Sequence, residues 1–514
     1  MLRIILSAGW PGTNRDTSKG NLLALGQVGN LPHVTLPLAE REGYLAAACC
    51  EDSVASILIP DERPTMTMQT TRRDFLATTT AAAAGAVLPY WAWTPSTMAQ
   101  ETKSPNERPR VGCIGNGGMG RGDGGSVKRY GDIIANCDVD QSHAEKFNKE
   151  IAGGKSEVYE DYRKLLDRKD IDLVTISTPD HWHTRIALAA LRAGKDVHCQ
   201  KPLTLTIDEG KLLCKVVKET GRVFQVGTQQ RSENNNMFLK AVAICQEGRL
   251  GKINKVTCAI GGSPRGGTFT KETPPEGLNW DMWLGQAPLV DYIKQRTHND
   301  FRWWYEYSGG KLTDWGAHHV DIGQWGIGMT EPDRPQDGPQ SLEVIAVDHP
   351  VPFEKGWPTV DDTFNAAVTF DVKVMFTNGV EMRIRDNAPD LGFDNGVMFE
   401  GEKGRIFVNR GKLTGQAVDD LKDNPISDDV LIKLRKGKRL DNHMANFIEC
   451  CRDRSTPVSD VWSHHRILTT CHLANIAMRL NRTLKWNPET EQIVGDEEAN
   501  KWQGREQRQG YEVA

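Results

Sequence analysis

The tightest constraint on what this chain can fold into is a glycine pattern placed where a strand ends. Arg110-Val111-Gly112-Cys113-Ile114 reads as a short buried strand, and Gly115-Asn116-Gly117-Gly118-Met119-Gly120 follows it without a break. The G-x-G-x-x-G spacing permits a tight turn at Gly115, close backbone approach to a pyrophosphate at Gly117 and close helix packing at Gly120. Phosphate is then held by the amides at the next helix's N-terminus. With 49 glycines in 514 residues such a spacing arises easily by chance, so its surroundings decide its meaning. Ile133 to Asp140 (IIANCDVD) reads as the second strand and carries Asp138 eighteen residues beyond Gly120. A carboxylate there accepts hydrogen bonds from ribose hydroxyls and repels a 2′-phosphate, which favours NAD over NADP. The plainer alternative is a glycine-rich loop beside a structural aspartate.

The βα rhythm continues through Tyr159 to Leu166, the strand Leu173 to Ser177, a helix from Thr184 to Ala193, the strand Asp196 to Cys199 and the strand Val223 to Val226. Short apolar strands alternating with helices imply a parallel sheet. Thr178-Pro179-Asp180-His181-Trp182-His183 and Gln200-Lys201-Pro202 then fall at carboxyl ends of strands, where open α/β sheets place ligands. After about Gln230 the pattern changes to a helix, Asn236 to Glu247, and then to mostly antiparallel strand signals. The clearest are Thr363 to Phe376, the Asn378-Gly379 turn, Val380 to Arg385, and Gly396 to Phe399 turning into Arg405 to Val408. Two late helices, His443 to Arg452 and His464 to Leu480, follow, and the basic run Lys433 to Arg439 reads as a solvated loop. The fold class is thus an α/β Rossmann domain over residues 105–230, an α+β domain with a large open sheet over 231–490, and a C-terminal tail over 491–514.

The series G-x-G-x-x-G, C-D-V-D, S-T-P-D-H-W-H, Q-K-P-L and V-G-T-Q-Q-R, in this order, resembles the Gfo/Idh/MocA family of NAD(P)-dependent oxidoreductases, named for glucose-fructose oxidoreductase and inositol dehydrogenase. The family usually has Glu-Lys-Pro where this chain has Gln200-Lys201-Pro202. The resemblance implies NAD as cofactor, held by Gly115, Gly117, Gly120, Asp138, Thr178, Pro179, His183, Gln200 and Lys201. It also implies homo-oligomers built through the outer face of the second domain's sheet.

Moving a hydride from a secondary alcohol to a nicotinamide requires the hydroxyl proton to leave, so a base must stand beside the nicotinamide. A lysine serves if its pKa is lowered, and the positive NAD⁺ ring and partial burial both push it down. Lys201 is the candidate; a solvated strand-end lysine is the bland reading. Asp314 and His318 lie four apart in Gly309-Gly310-Lys311-Leu312-Thr313-Asp314-Trp315-Gly316-Ala317-His318-His319. On a helix they share a face, so that Asp314 can orient His318 as a proton relay. The family's D-x-x-x-H pair maps onto them; an N-cap and a packed histidine are the alternative. His183, His298, Arg302, Trp303 and His319 are candidates for lining the substrate cleft, while tryptophans such as Trp303 and Trp304 are as often core. His181, His183, His318, His319 and Asp321 include metal-ligand types, but the dehydrogenase reading accounts for the region and no metal is expected.

Residues 71–99 carry Arg72-Arg73, then Phe75-Leu76, a weakly apolar stretch broken by Pro89, and Thr97-Met98-Ala99. This resembles a twin-arginine (Tat) export signal over residues 66–99, cleaved after Ala99, with the Tat machinery as a partner and a periplasmic or exported destination. The stretch is a poor membrane span, though an uncleaved anchor stays open. Residues 1–65 lie upstream of any such signal and read as an over-long gene start, with Met66 or Met68 as the true one.

The formal net charge of −5 and the absence of a basic stripe give no reason to expect nucleic acid. Eleven cysteines with no C-x-x-C are too dilute for a disulfide scaffold. Folding in a reducing cytoplasm before Tat transport predicts that the nine beyond Cys49 and Cys50 are reduced and mostly buried. The expected activity is an exported NAD-dependent oxidoreductase acting on a sugar, glycoside or cyclitol. Redox-neutral glycoside cleavage, and a non-catalytic carbohydrate-binding protein on the same scaffold, are the alternatives.

Overall fold

The computed structural model describes residues 107–439 and 442–513; the twin-arginine segment and residues 1–65 lie outside them. Six parallel strands form the first sheet: β1 (Arg110–Ile114), β2 (Asp132–Cys137), β3 (Glu157–Tyr159), β4 (Leu173–Ile176), β5 (Asp196–Gln200) and β6 (Phe224–Gly227). Their order is β3-β2-β1-β4-β5-β6, and the direction of winding reverses between β1 and β4. Helices cover both faces, so β4 and β5 are buried at every position, and apolar runs rather than alternation mark them in the sequence. Ile114 pairs with both Cys137 and Ile176, which aligns the carboxyl ends of three strands on one edge.

Helices α1 (Gly118–Val127) and α2 (Gln141–Glu150) follow β1 and β2, and α3 (Tyr162–Leu166) follows β3. Helices α4 (Asp180–Arg192) and α5 (Ile207–Thr220) follow β4 and β5. Helix α4 begins four residues earlier than its sequence pattern suggests. Pro179 is its N-cap and Asp180 lies in its first turn, so His181, Trp182 and His183 are helical and buried rather than part of an open loop.

Helix α6 (Met237–Gln246) leads into a nine-stranded sheet. Its strands are β7 (Ile253–Ile260), β8 (Pro339–Asp348), β11 (Thr369–Phe376), β12 (Glu381–Arg385), β13 (Asn395–Gly401), β14 (Gly404–Val408), β15 (Leu413–Thr414), β16 (Leu484–Asn487) and β17 (Gln492–Ile493); β9 (Phe353–Glu354) and β10 (Trp357–Pro358) pair apart from it. All neighbours are antiparallel except β12 and β7. Strand β11 shows the alternation of a sheet with one covered face: Phe370, Val372, Val374 and Phe376 point inward. Each such side chain contributes about 1.5–3 kcal/mol on burial. Strand β11 begins six residues later than its pattern predicts, because the amides of Asn365 and Ala366 both donate to the Trp303 carbonyl and hold that stretch off the sheet.

Two further expectations are corrected. The basic run is not a solvated loop: Arg435 and Lys438 are buried, Lys438 pairs with Asp453 and Glu449, and Lys436 pairs with Asp460. Residues 491–514 are not a separate tail, since Gln492 and Ile493 of β17 pair with Asn487 and Trp486 of β16. Beyond it Arg508 donates to Gly285 O and Tyr511 to Asp281, docking the chain's end on the second domain's short helix Trp280–Leu284 and the glycine after it. The nine described cysteines are all free, seven of them buried, and burial pushes the Cys113 thiol up to about 12. Among the described residues no helix is long and apolar enough to cross a membrane.

Candidate active site and cofactor cleft

A cleft of about 460 Å³ opens at the carboxyl edge of the parallel sheet. One wall is main chain. Gly115 has φ +82°, and a Cβ there would sit 2.6 Å from the Ser177 backbone; a Cβ on Gly120 would sit 1.9 Å from Gly115 O. Both positions therefore demand glycine, while Gly117, the N-cap of α1, lines the cleft, where a Cβ would meet only the His143 ring at 3.6 Å. Asp138 stands at the end of β2 and lines the cleft; its carboxylate accepts from the amides of Asn116 at 2.6 Å and Asp140 at 3.0 Å. A glycine turn, an exposed helix N-terminus and a fixed carboxylate one strand away fit the pyrophosphate and adenosine ribose of NAD.

At the other end of the same wall Lys201 leaves β5, followed by a cis peptide to Pro202. Its Nζ donates to Asp314 Oδ1 at 2.6 Å, and Arg302 donates to Asp314 Oδ2 at 3.3 Å. Burial alone would raise the Asp314 pKa, but the positive charges of Lys201 and Arg302 outweigh it and hold the carboxyl below its ordinary value. Asp314 closes the short helix Lys311–Asp314, and His318 belongs to the next one, Gly316–Gly326. The expectation that Asp314 orients His318 is therefore corrected. The helix breaks at Trp315, the Asp314 carboxylate turns to Lys201 and Arg302, and among the described residues no hydrogen bond joins it to His318. His318 is buried with Nδ1 unpartnered, and burial together with the Lys201 charge keeps its pKa well below the ordinary value, so the ring is neutral.

Thr178, Pro179 and Gln200 line the cleft as expected from their strand ends. Gln200 also explains the departure from Glu-Lys-Pro. Its Nε2 donates to both oxygens of Asp123 on α1 at 3.0 Å, where a glutamate would set two buried carboxylates against each other.

The remaining candidates sit elsewhere. His183 does not line the cleft: its ring nitrogens lie 2.6 Å from Pro202 O and 2.9 Å from Thr178 O. Burial lowers its pKa to about 4, so the ring is neutral and its one N–H donates to one of these two carbonyls. His319 is fully buried, bonded to Asn395 at 2.9 Å, and Trp303 and Trp304 are core. His298 lines the cleft, but at the adenosine end, 3.6 Å from Asp140 and with its ring 4.7 Å from that of His143. Arg302 is thus the one proposed substrate contact found beside Lys201.

Several cleft residues escape sequence reasoning. Asp140, the α2 N-cap, and His143 were legible in principle from D-x-x-H at a helix start. Met282, Trp283 and Phe301 come from a distant segment and carried no local signal. Asp180 lines the cleft, accepts from Ser308, and is raised by burial to about 7.

Residues 109–228 match the model of the oxidoreductase family's NAD-binding Rossmann fold, and residues 266–513 that of the GFO_IDH_MocA oxidoreductase family's C-terminal alpha/beta domain. Among curated proteins, the chain is 35% identical over 156 residues to a glycosyl hydrolase family 109 protein from Solibacter usitatus, covering 27% of this chain and 35% of that one. It is 38% identical over 262 residues to levoglucosan dehydrogenase from Pseudarthrobacter phenanthrenivorans, covering 48% and 58%. To myo-inositol 2-dehydrogenase from Thermotoga maritima it is 23% identical over 318 residues, covering 60% and 78%. Of these relatives the chain thus matches from about a third to about three quarters of their length. The WlbA dehydrogenase from Chromobacterium violaceum, solved with NADH and UDP-GlcNAcA, shares the fold at a TM-score of 0.53 and 17% identity, covering 74% of this chain and 97% of that one.

Proposed function

Since this chain belongs to the Gfo/Idh/MocA family of oxidoreductases, we propose that it is an NAD-dependent dehydrogenase acting on a secondary alcohol of a sugar, glycoside or cyclitol. The observation that carries this reading is the single cleft running from the Gly115 turn to Lys201, with Asp314 and Arg302 facing the lysine. When bound, NAD⁺ supplies the hydride acceptor. In its uncharged amine form Lys201 accepts the substrate's hydroxyl proton at Nζ, and Asp314 fixes where that atom stands. Arg302 takes the other oxygen of the same carboxylate and offers its remaining N–H groups to a substrate hydroxyl. His318, neutral, outside the cleft lining and bonded to neither Lys201 nor Asp314 among the described residues, carries no step of this route. The relatives named as inositol and levoglucosan dehydrogenases support a polyhydroxylated ring as substrate.

A second reading is redox-neutral glycoside cleavage, favoured by the 35% local identity to a glycosyl hydrolase family 109 protein. One experiment separates the two: the purified chain is incubated with NAD⁺ and a panel of sugars, cyclitols and glycosides while reduced-nicotinamide absorbance and product release are followed. Net NADH supports the dehydrogenase; product without net NADH supports cleavage. A chain that binds no dinucleotide defeats both.

Export through the twin-arginine route and assembly into homo-oligomers through the large sheet belong to the same proposal. The first rests on Arg72-Arg73 and the small-residue stretch that follows, and peptide mapping in the native host tests it. Light scattering tests the second.

A further inference from the structure

A second cavity, of about 390 Å³, opens among the loop at Leu205-Thr206, the segment Tyr305–Gly309, the helix Val461–Leu480 and residues 501–506. It shares no wall residue with the catalytic cleft; Ser308 on its wall meets Asp180 of the cleft through one hydrogen bond. Four cations face it, Lys355, Arg479, Lys501 and Arg505, against one acid, Glu506.

The cations are held in an unusual way. The Arg479 guanidinium lies over three aromatic rings, 4.7 Å from Tyr305, 4.9 Å from Trp357 and 4.4 Å from Trp502. Stacking engages its faces and leaves its edge for hydrogen bonds. Only part of that edge is satisfied: Nε donates to Gly356 O at 3.0 Å, and Nη1 of Arg505 donates to Glu306 O at 2.6 Å. Nη2 of Arg479 and both Nε and Nη2 of Arg505 are buried without an acceptor among the described residues. A buried donor left unmet carries its full desolvation penalty, which is larger when the group is charged. Burial also pulls the Arg479 pKa down to about 10, outweighing the opposing pull of Tyr305 and Glu306. Glu209 opposes the Arg505 charge at longer range, but its Oε2 is engaged by Thr184 and the Leu205 amide, its Oε1 is buried without a hydrogen bond, and no hydrogen bond joins it to Arg505 among the described residues.

We propose that this cavity binds a small ring-bearing oxyanion, a carboxylate or a phosphate. The oxyanion meets the guanidinium edges of Arg479 and Arg505, and the ring lies against the indoles of Trp357 and Trp502. Planar guanidinium groups match carboxylate and phosphate oxygens, and the exposed Trp357 indole, with the half-buried Trp502 beside it, suits the apolar face of a ring. Lys355 and Lys501, both exposed at the rim, add long-range attraction.

The test is calorimetric titration of the full chain with D-glucuronate, inorganic phosphate and D-glucose. Glucuronate and phosphate are expected to bind and to compete, and glucose to give no competing heat. The tighter of the two anions identifies whether carboxylate or phosphate is preferred. In the double variant Lys355→Glu with Lys501→Glu, which changes only exposed side chains outside the cleft, anion affinity is expected to fall about tenfold, with NAD affinity unchanged as evidence of an intact fold. Arg479→Gln is expected to abolish competition. Absence of heat with both anions, or affinities unaltered by the double charge reversal, overturns the site. Because the readout is binding and not turnover, failure here leaves the dehydrogenase reading standing, and failure of that reading leaves this one to be judged separately.

Discussion

The two walls of the catalytic cleft are made of different material. The wall carried by the parallel sheet is largely main chain, with the Gly115 turn, the N-terminus of α1 and the ends of β4 and β5, and one fixed carboxylate, Asp138. The facing wall is made of side chains, Trp283, His298, Phe301, Arg302 and Asp314, carried on three short helical turns between residues 280 and 314, far in sequence from the sheet edge they face. A wall of backbone binds what all dinucleotides share, and it fails when an atom is added. A wall of charged side chains selects the reacting group, and it fails when a charge is removed.

The contrast can be broken by substitution. On the charged side, Lys201→Ala is expected to lower kcat by about a thousandfold while leaving NAD affinity near that of the parent; steady-state kinetics with NAD titration checks both, and retained turnover removes Lys201 from its role. On the backbone side, Gly120→Ala forces a methyl against Gly115 O, so NAD affinity is expected to fall about a hundredfold, with the Tm lowered as well. If both parameters stay at parental values, the close packing of turn and helix is not what shapes the phosphate site.

A subtler difference concerns Asp180, which lies where the walls meet. Burial lifts its pKa from 3.8 to about 7, so the folded protein keeps a proton that the unfolded chain has already released. The stability this group contributes is fully present below the unfolded value and is lost as pH rises through about 7. Asp180→Asn accepts the same Ser308 hydrogen bond without a titrating charge. Its Tm advantage over the parent is expected to grow between about pH 4 and pH 7 and then level off; a difference that does not vary with pH refutes the assignment. The smallest effect is expected at His319, buried away from the cleft. His319→Gln keeps a donor for Asn395 and should alter kcat/KM by less than about threefold, and a larger kinetic change would return His319 to the substrate wall.

The same contrast explains what could be read in advance. Gly115, Gly117, Gly120 and Asp138 were legible because a phosphate turn and a ribose acceptor are set by neighbours in one βα unit, where spacing and strand ends fix direction. Lys201 was legible for the same reason, lying at a strand's carboxyl end. His183 shows the limit even there: its position in the motif was read, but the first turn of α4 points its ring at two carbonyls and not at the cleft. In the second domain the i,i+4 spacing of Asp314 and His318 suggested a pair, and the break at Trp315 dissolved it. Spacing presumes a continuous helix, and nothing local announces that a carboxylate will find a stronger partner more than a hundred residues away.

The sequence by itself determined the parallel sheet, the glycine turn, the preference for NAD and the lysine at the head of the cleft, because each is a local arrangement repeated with fixed geometry. Only the tertiary structure decided which side chains meet that lysine, why Gln200 stands opposite Asp123, and that Arg479 and Arg505 converge on a second cavity. Those outcomes depend on long-range charge pairing and burial. Their energies are set by what the fold brings together, and a linear pattern does not encode distance.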